Sequence, residues 1–276
     1  QWPTLPALWS KRAMAIFERL KPMILTKLTE AAEPDDAIDE FDRFIRGLPA
    51  GVQLFSLFES NPQILDLLAQ ICTTAPSLSA YLGRNAAVLD AVVSGDFFEP
   101  LPDRNALVRS LQAAVAREAD YEDRLIAARR WQKERHFRIG VLQLRGLAGD
   151  AETARSYSDL AGACLEVLLS IVQTEFARKY GVIEGGGVAV LAMGKLGSGE
   201  MTPTSDLDLI LVYDAAGQTA STGPKELAVT TYYSRFTHGL ITALSSPMTG
   251  GKLYDVDTRR RPSGRTRSVA TSLAAL

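Results

Sequence analysis

Over the first 180 positions, apolar residues recur at the three- and four-residue spacing of helices. After Gly181 the pattern shortens to apolar runs of strand length. Glu33-Pro34-Asp35 followed by Ile38, Phe41, Phe44 and Ile45 predicts a helix that Gly47-Leu-Pro49 stops. Asn61-Pro62 predicts an N-cap and a first-turn proline ahead of Ile64, Leu65, Leu67 and Leu68. Ala75-Pro76-Ser77 and Asn85 predict two further short helices. From Asp103 to about Arg145, Glu and Arg fall three and four residues apart. That spacing predicts one long helix whose charged residues form a solvated face. Tyr157 opens another helix through Leu165, Leu168, Leu169, Val172 and Phe176. The restarts are too irregular for a repeat architecture.

Beyond the Gly181–Gly187 loop, Val188 to Met193 is a continuous apolar run bounded by glycines, which predicts a buried strand. A second strand is expected from Asp206 to Tyr213, a loop over 214–224, a helix over 224–244 and a third strand over 252–257. The fold class is therefore α+β, with an all-helical region over 1–180 and a mixed sheet flanked by helices over 181–276.

The two later strands carry the candidate chemistry. Strand side chains alternate, so Asp206 and Asp208 share one face while Leu207 and Leu209 take the other. Like charges so close repel, and a bound cation relieves the repulsion. Asp255 and Asp257 alternate in the same way on the third strand, and Asp257 completes a cluster if the two strands are neighbours. Asp255 is the weaker candidate, as a solvated strand-edge residue. Three carboxylates on adjacent strands suit Mg²⁺, with room for two ions. Between the first two strands lies Gly194-Lys-Leu-Gly-Ser-Gly-Glu. In it Gly197 and Gly199 permit close backbone approach, Ser198 offers a hydroxyl and Lys195 a positive charge. The spacing is neither that of a P-loop nor that of a dinucleotide fingerprint. After Asp257 come five arginines in nine residues, from Arg259 to Arg267. They read as a basic loop or an anion patch, and adjacency to Asp257 favours phosphate neutralisation by Arg259 and Arg261. His238, in the helix over 224–244, reads as a partly buried packing residue rather than a base.

Composition narrows the field. At 276 residues the chain is long enough for two domains, and its 46% apolar and 22% charged content is ordinary for a soluble protein. A net charge of −2 supplies no basic field for nucleic acid. Cys72 and Cys164 sit among apolar residues and read as buried reduced thiols, in keeping with a cytoplasmic protein. Two Cys and two His lack zinc-ligand spacing. No apolar run of membrane-spanning length and no signal peptide stand out, so no membrane partner is expected. Gln1 and the apolar run ending at Leu276 read as cuts through a longer protein.

Three segments carry a resemblance. Gly194-Lys-Leu-Gly-Ser-Gly-Glu, Ser205-Asp-Leu-Asp-Leu-Ile and Leu253-Tyr-Asp-Val-Asp-x-Arg-x-Arg-Pro-Ser-Gly264 resemble the glutamine synthetase adenylyltransferase family of polymerase-beta-like nucleotidyltransferases. Upstream, Leu48-Pro-Ala-Gly-Val-Gln-Leu-Phe-Ser-Leu-Phe58 and Arg130-Trp-x-x-Glu-Arg-x-Phe-Arg-Ile-Gly140 are similar to the helical region before that family's second catalytic half. The resemblance implies a helical linker or regulatory region over 1–180 and a catalytic domain over 181–276. Asp206, Asp208 and Asp257 match the family's catalytic metal carboxylates. Lys195, Gly197, Ser198, Gly199, Ser205, Arg259 and Arg261 fall at its nucleotide site, and Arg260 stands where the family has an apolar residue. The implied reaction is Mg²⁺-dependent transfer of AMP from ATP to a tyrosine of glutamine synthetase. Glutamine and a PII-type signal protein are the implied effectors. Phosphorolytic removal of AMP, or binding of nucleotide and partner without turnover, are the alternatives.

Overall fold

Proline and asparagine punctuation sets a series of short helices at the start of the chain. The computed structural model describes residues 5–48, 51–85, 88–89, 92, 97–249, 251–257 and 270–275. The chain divides into two compact units, one of Gln1–Pro100 and Gly140–Leu147, the other of Leu101–Ile139 and Ala148–Leu276.

In the first unit, α1 (Lys11–Thr29) starts where Ser10 Oγ accepts the Ala13 N–H at 3.0 Å, and it carries Pro22 inside. It is followed by α2 (Pro34–Arg46), α3 (Val52–Ser60), α4 (Pro62–Thr74) and α5 (Pro76–Arg84). The expected apolar face of α2 is buried through Phe41, Phe44 and Ile45, and Phe17 of α1 packs on Phe55 of α3 at 5.3 Å between ring centroids. Asn61 departs from expectation. Its side chain does not cap α4 but donates to the Leu57 carbonyl at 3.1 Å, closing the end of α3 instead. The restart expected at Asn85 lies largely outside the described residues.

In the second unit, the charged segment forms two helices rather than one. The first, α6 (Arg104–Val115), is capped by Asp103 Oδ1, which accepts the Ala106 N–H at 2.8 Å. Next comes α7 (Tyr121–Leu144), which is no solvated face: Arg129 is 0% exposed, and Trp131, Gln132 and His136 are buried. A buried guanidinium must spend its N–H groups on acceptors. Arg129 donates to the carbonyls of Leu125, Ala243, Ser246 and Gly251 at 2.7–3.1 Å.

The longest helix, α8 (Asp150–Tyr180), begins well before Tyr157. Contrary to the sequence reading, its 18-residue window of mean hydropathy 1.5 is long and apolar enough to cross a membrane. Half of that window is buried in the fold, as in a core helix.

The sheet follows, in the order β1 (Gly187–Ala192), α9 (Gly194–Ser198), β2 (Leu207–Asp214), α10 (Val229–Ser245), β3 (Val256–Asp257) and β4 (Ala270–Ser272). Along one side of β2, β1 runs antiparallel over its full length. Parallel to its other side lie β3 at Leu207–Asp208 and β4 at Leu211–Tyr213. Leu207, Leu209, Leu211 and Tyr213 enter a core shared with Leu160, Leu168, Phe236 and Leu240 of α8 and α10. The ring of Tyr213 stacks on Tyr233 at 4.2 Å, and the Tyr233 hydroxyl donates to the Asp214 carbonyl. The mixed sheet and its flanking helices make the fold α+β, as expected. The third strand shrinks to two residues, α10 starts at Val229 rather than 224, and β4 has no counterpart in the sequence reading. Both cysteines are buried free thiols, and desolvation pushes Cys72 up to about 12 and raises Cys164 as well.

His136 Nε2 donates to the Pro203 carbonyl at 3.0 Å. Burial pulls its imidazole from 6.5 down to about 4, outweighing that hydrogen bond. The folded pKa lies below the unfolded one, so this contribution is full above 6.5 and is lost as pH falls towards 4. The shift corresponds to roughly 3 kcal/mol. Urea unfolding from neutral pH down to about pH 4 is therefore expected to cost the wild type roughly 3 kcal/mol more than His136→Gln.

Candidate metal and nucleotide site

The site is built where β2 meets β3. Parallel pairing sets Asp208 beside Asp257, and the Leu207 N–H donates to the Asp255 carbonyl at 2.8 Å. Asp206 lies one residue before β2, two positions from Asp208, so the strand period turns it to the same side. One carboxylate oxygen from each of Asp206, Asp208 and Asp257 lies within 4.8 Å of the others. Asp206 is exposed, and the other two are half-buried.

Oxygen-only donors of this charge suit a hard divalent cation such as Mg²⁺ and offer nothing to soft metals. Asp255 takes no part. Exposed, it holds Lys252 Nζ at 2.6 and 2.7 Å.

The glycine-rich segment forms the short helix α9 rather than a turn. The amides of Gly197 and Gly199 serve that helix, donating to the carbonyls of Met193 at 3.0 Å and Leu196 at 3.3 Å. Ser198 Oγ donates to Glu200 at 3.0 Å, while Lys195 is exposed. Together with Arg104, Arg155 and Asp159, residues Gly197–Gly199 line a cavity of about 580 Å³ whose lining includes none of the three carboxylates. Ser205 Oγ accepts the Thr202 N–H at 2.9 Å and thereby shapes the turn just before Asp206. Arg259, Arg260 and Arg261 lie outside the described residues. Expected to be packed, His238 is instead exposed, its Nδ1 2.8 Å from the Ser234 carbonyl.

Two functional features escaped the sequence reading. At φ +53° Gly194 lies in the left-handed region, and a Cβ there would fall on Asp208 Oδ2. Its position at the end of the first strand was visible, but not its contact. Arg129 and His136 were the other omission. Nothing in a run of mixed charges says which residue turns inward.

Gly194→Ala should force the Asp208 carboxylate aside, besides costing roughly 1–2 kcal/mol for the left-handed backbone. Calorimetric titration is expected to show Mg²⁺ affinity reduced by roughly tenfold or more, with the fold retained by circular dichroism.

Comparison with known proteins bears on this geometry. The family described as glutamate-ammonia ligase adenylyltransferase matches residues 65–276. A protein of Mesorhizobium japonicum named bifunctional glutamine synthetase adenylyltransferase/adenylyl-removing enzyme is 43% identical over 96% of this chain. Proteins of the same name from Brucella suis and Xanthobacter autotrophicus are each 41% identical, over 96% and 98% of it. The chain spans about a quarter of these relatives, 27% of the length of each. With most of its length matched, this chain belongs to the glutamate-ammonia ligase adenylyltransferase family.

Proposed function

We propose that this chain carries a nucleotidyltransferase site that moves AMP from ATP to a tyrosine of glutamine synthetase. The observation that carries the reading is the meeting of Asp206, Asp208 and Asp257 within 4.8 Å, in a chain of this family. Those three residues would hold Mg²⁺. When bound, the ion supplies charge neutralisation at the phosphates and favours ionisation of the attacking hydroxyl.

The remaining work falls to positioning. Asp206 and Asp208 project from the head of β2, and Asp257 approaches from the neighbouring strand, so the three carboxylates face one small volume. Lys195 adds positive charge near the carboxylate end of β2, and Ser198 and Ser205 add hydroxyls. Arg259 and Arg261 belong to the same proposal as phosphate-neutralising groups. The nucleophile is the phenol of the protein substrate, so the chain needs no Ser or Cys nucleophile. A phosphorus–oxygen bond forms to that phenol as the bond to the departing pyrophosphate breaks.

The relatives' names give both adenylyl transfer and adenylyl removal, so phosphorolytic release of AMP as ADP is the second reading. The helical context upstream resembles that of the adenylylating half and favours the first. Glutamine and a PII-type signal protein as effectors, and a cytoplasmic setting, complete the proposal. Two buried free thiols are in keeping with a reducing compartment.

Two mixtures separate the readings. With Mg²⁺, ATP and unmodified glutamine synthetase, the chain is expected to release pyrophosphate and label the acceptor. Asp206→Asn and Asp208→Asn should each slow this by at least roughly a hundredfold while remaining folded. ADP release from adenylylated glutamine synthetase and phosphate, with no transfer in the first mixture, would reverse the assignment.

A further inference from the structure

Two of the three carboxylates are only weakly held by the sheet. Asp208 lies within β2, pairing with Asp257 of β3 while its carbonyl accepts the Met193 N–H just beyond β1, whereas Asp206 precedes β2 and Asp257 ends a strand of two residues. What fixes the chain beside them lies on α7, with a further hold from Ser158 of α8.

The loop from Gly199 to Asp206 contains a local turn, in which the Ser205 N–H donates to the Thr202 carbonyl and the two hydroxyls meet at 2.8 Å. Among the described residues, two hydrogen bonds tie that loop to α7 and α8. The Met201 N–H donates to Ser158 Oγ of α8 at 3.2 Å, and the Pro203 carbonyl accepts from His136 Nε2 of α7 at 3.0 Å. Met201 is itself buried. The imidazole packs on the Tyr157 ring at 4.9 Å between centroids, which restrains its orientation.

Arg129 is seven residues before His136, two helical turns away and thus on the same side of α7. Its guanidinium holds the carbonyls of Ala243 and Ser246 at the end of α10 and that of Gly251 beyond it. The intervening Leu244 carbonyl accepts the amides of both Leu253 and Tyr254 at 3.1 Å, three residues short of Asp257. A cation at a helix C-terminus also meets the negative end of its dipole.

We propose that this side of α7 is the positioning element of the metal site. His136, with Ser158, fixes the segment that presents Asp206, and Arg129 fixes the segment that delivers Asp257. The inference rests on the carboxylates being a metal site. Neither residue touches the ion; both act on backbone carbonyls and so set carboxylate separation at one remove, as outer-shell groups do.

The test uses Mn²⁺ as the probe, titrated into the metal-free chain and followed by electron paramagnetic resonance, with amide hydrogen exchange measured on the same samples. His136→Leu is expected to weaken Mn²⁺ binding roughly tenfold and to speed exchange at the amides of residues 201–206. His136→Gln, whose amide nitrogen can reach the same carbonyl, should stay within roughly threefold of wild type. Arg129→Lys, lacking the fork, should speed exchange at residues 253–257 and leave 201–206 unchanged. Should His136→Leu fail to fold, Ser158→Ala tests the same loop, with the same direction expected. Wild-type affinity and exchange in these variants would overturn the proposal, as would equal losses in His136→Leu and His136→Gln. If the wild type takes up no Mn²⁺, the metal reading itself fails, and the exchange data still decide whether α7 anchors the loops.

Discussion

Three carboxylates held within a few ångströms of one another are the constraint on which the second unit depends. Left to themselves, such groups separate or take up protons. The chain keeps them together by placing each on backbone whose position is set elsewhere. For Asp208 this is the β2 ladder, paired on both sides. Asp206 relies on a loop tied to α7 and α8, and Asp257 on the junction at the end of α10. Gly194 completes the arrangement by omission, because only a residue without a Cβ leaves the Asp208 carboxylate where it is.

The burial of Arg129 shows how the anchoring is achieved. A cation with no exposed surface is costly unless every donor finds an acceptor. Four backbone carbonyls, three of them around the end of α10, give each of its three nitrogens a partner. Burial lowers its pKa, partly offset by Tyr121, and the partners give the charge a reason to remain. His136 is handled the opposite way. Its neutral form is retained, and one N–H goes to Pro203. One helix thus stabilises two irregular segments with two different chemistries.

Much of this was legible in the sequence, for physical reasons that differ from element to element. Strand periodicity of two, applied to Asp206-Leu207-Asp208, puts both carboxylates on one side from the sequence alone. The switch from helical spacing to apolar runs at Gly181 located the sheet. Proline at the first turn fixed the starts of α2, α4 and α5. What escaped was tertiary. The α7 segment reads as a solvated face because Glu and Arg alternate along it, and nothing local says that Arg129 turns inward to meet carbonyls more than a hundred residues away. The partition into compact units follows packing rather than composition: α6, α8 and most of α7 join the sheet, although the pattern changes only at Gly181. Likewise, the Gly194–Ser198 segment forms a helix because its amides find carbonyls within reach, an outcome that counting glycines does not reveal.

The central claim is that Asp206, Asp208 and Asp257 form one divalent-cation site. Anomalous diffraction from crystals grown with Mn²⁺ and a non-hydrolysable ATP analogue tests it most directly. The account predicts a manganese peak bound by oxygens of all three residues. A peak elsewhere, or the three carboxylates spread apart with no metal between them, would contradict it.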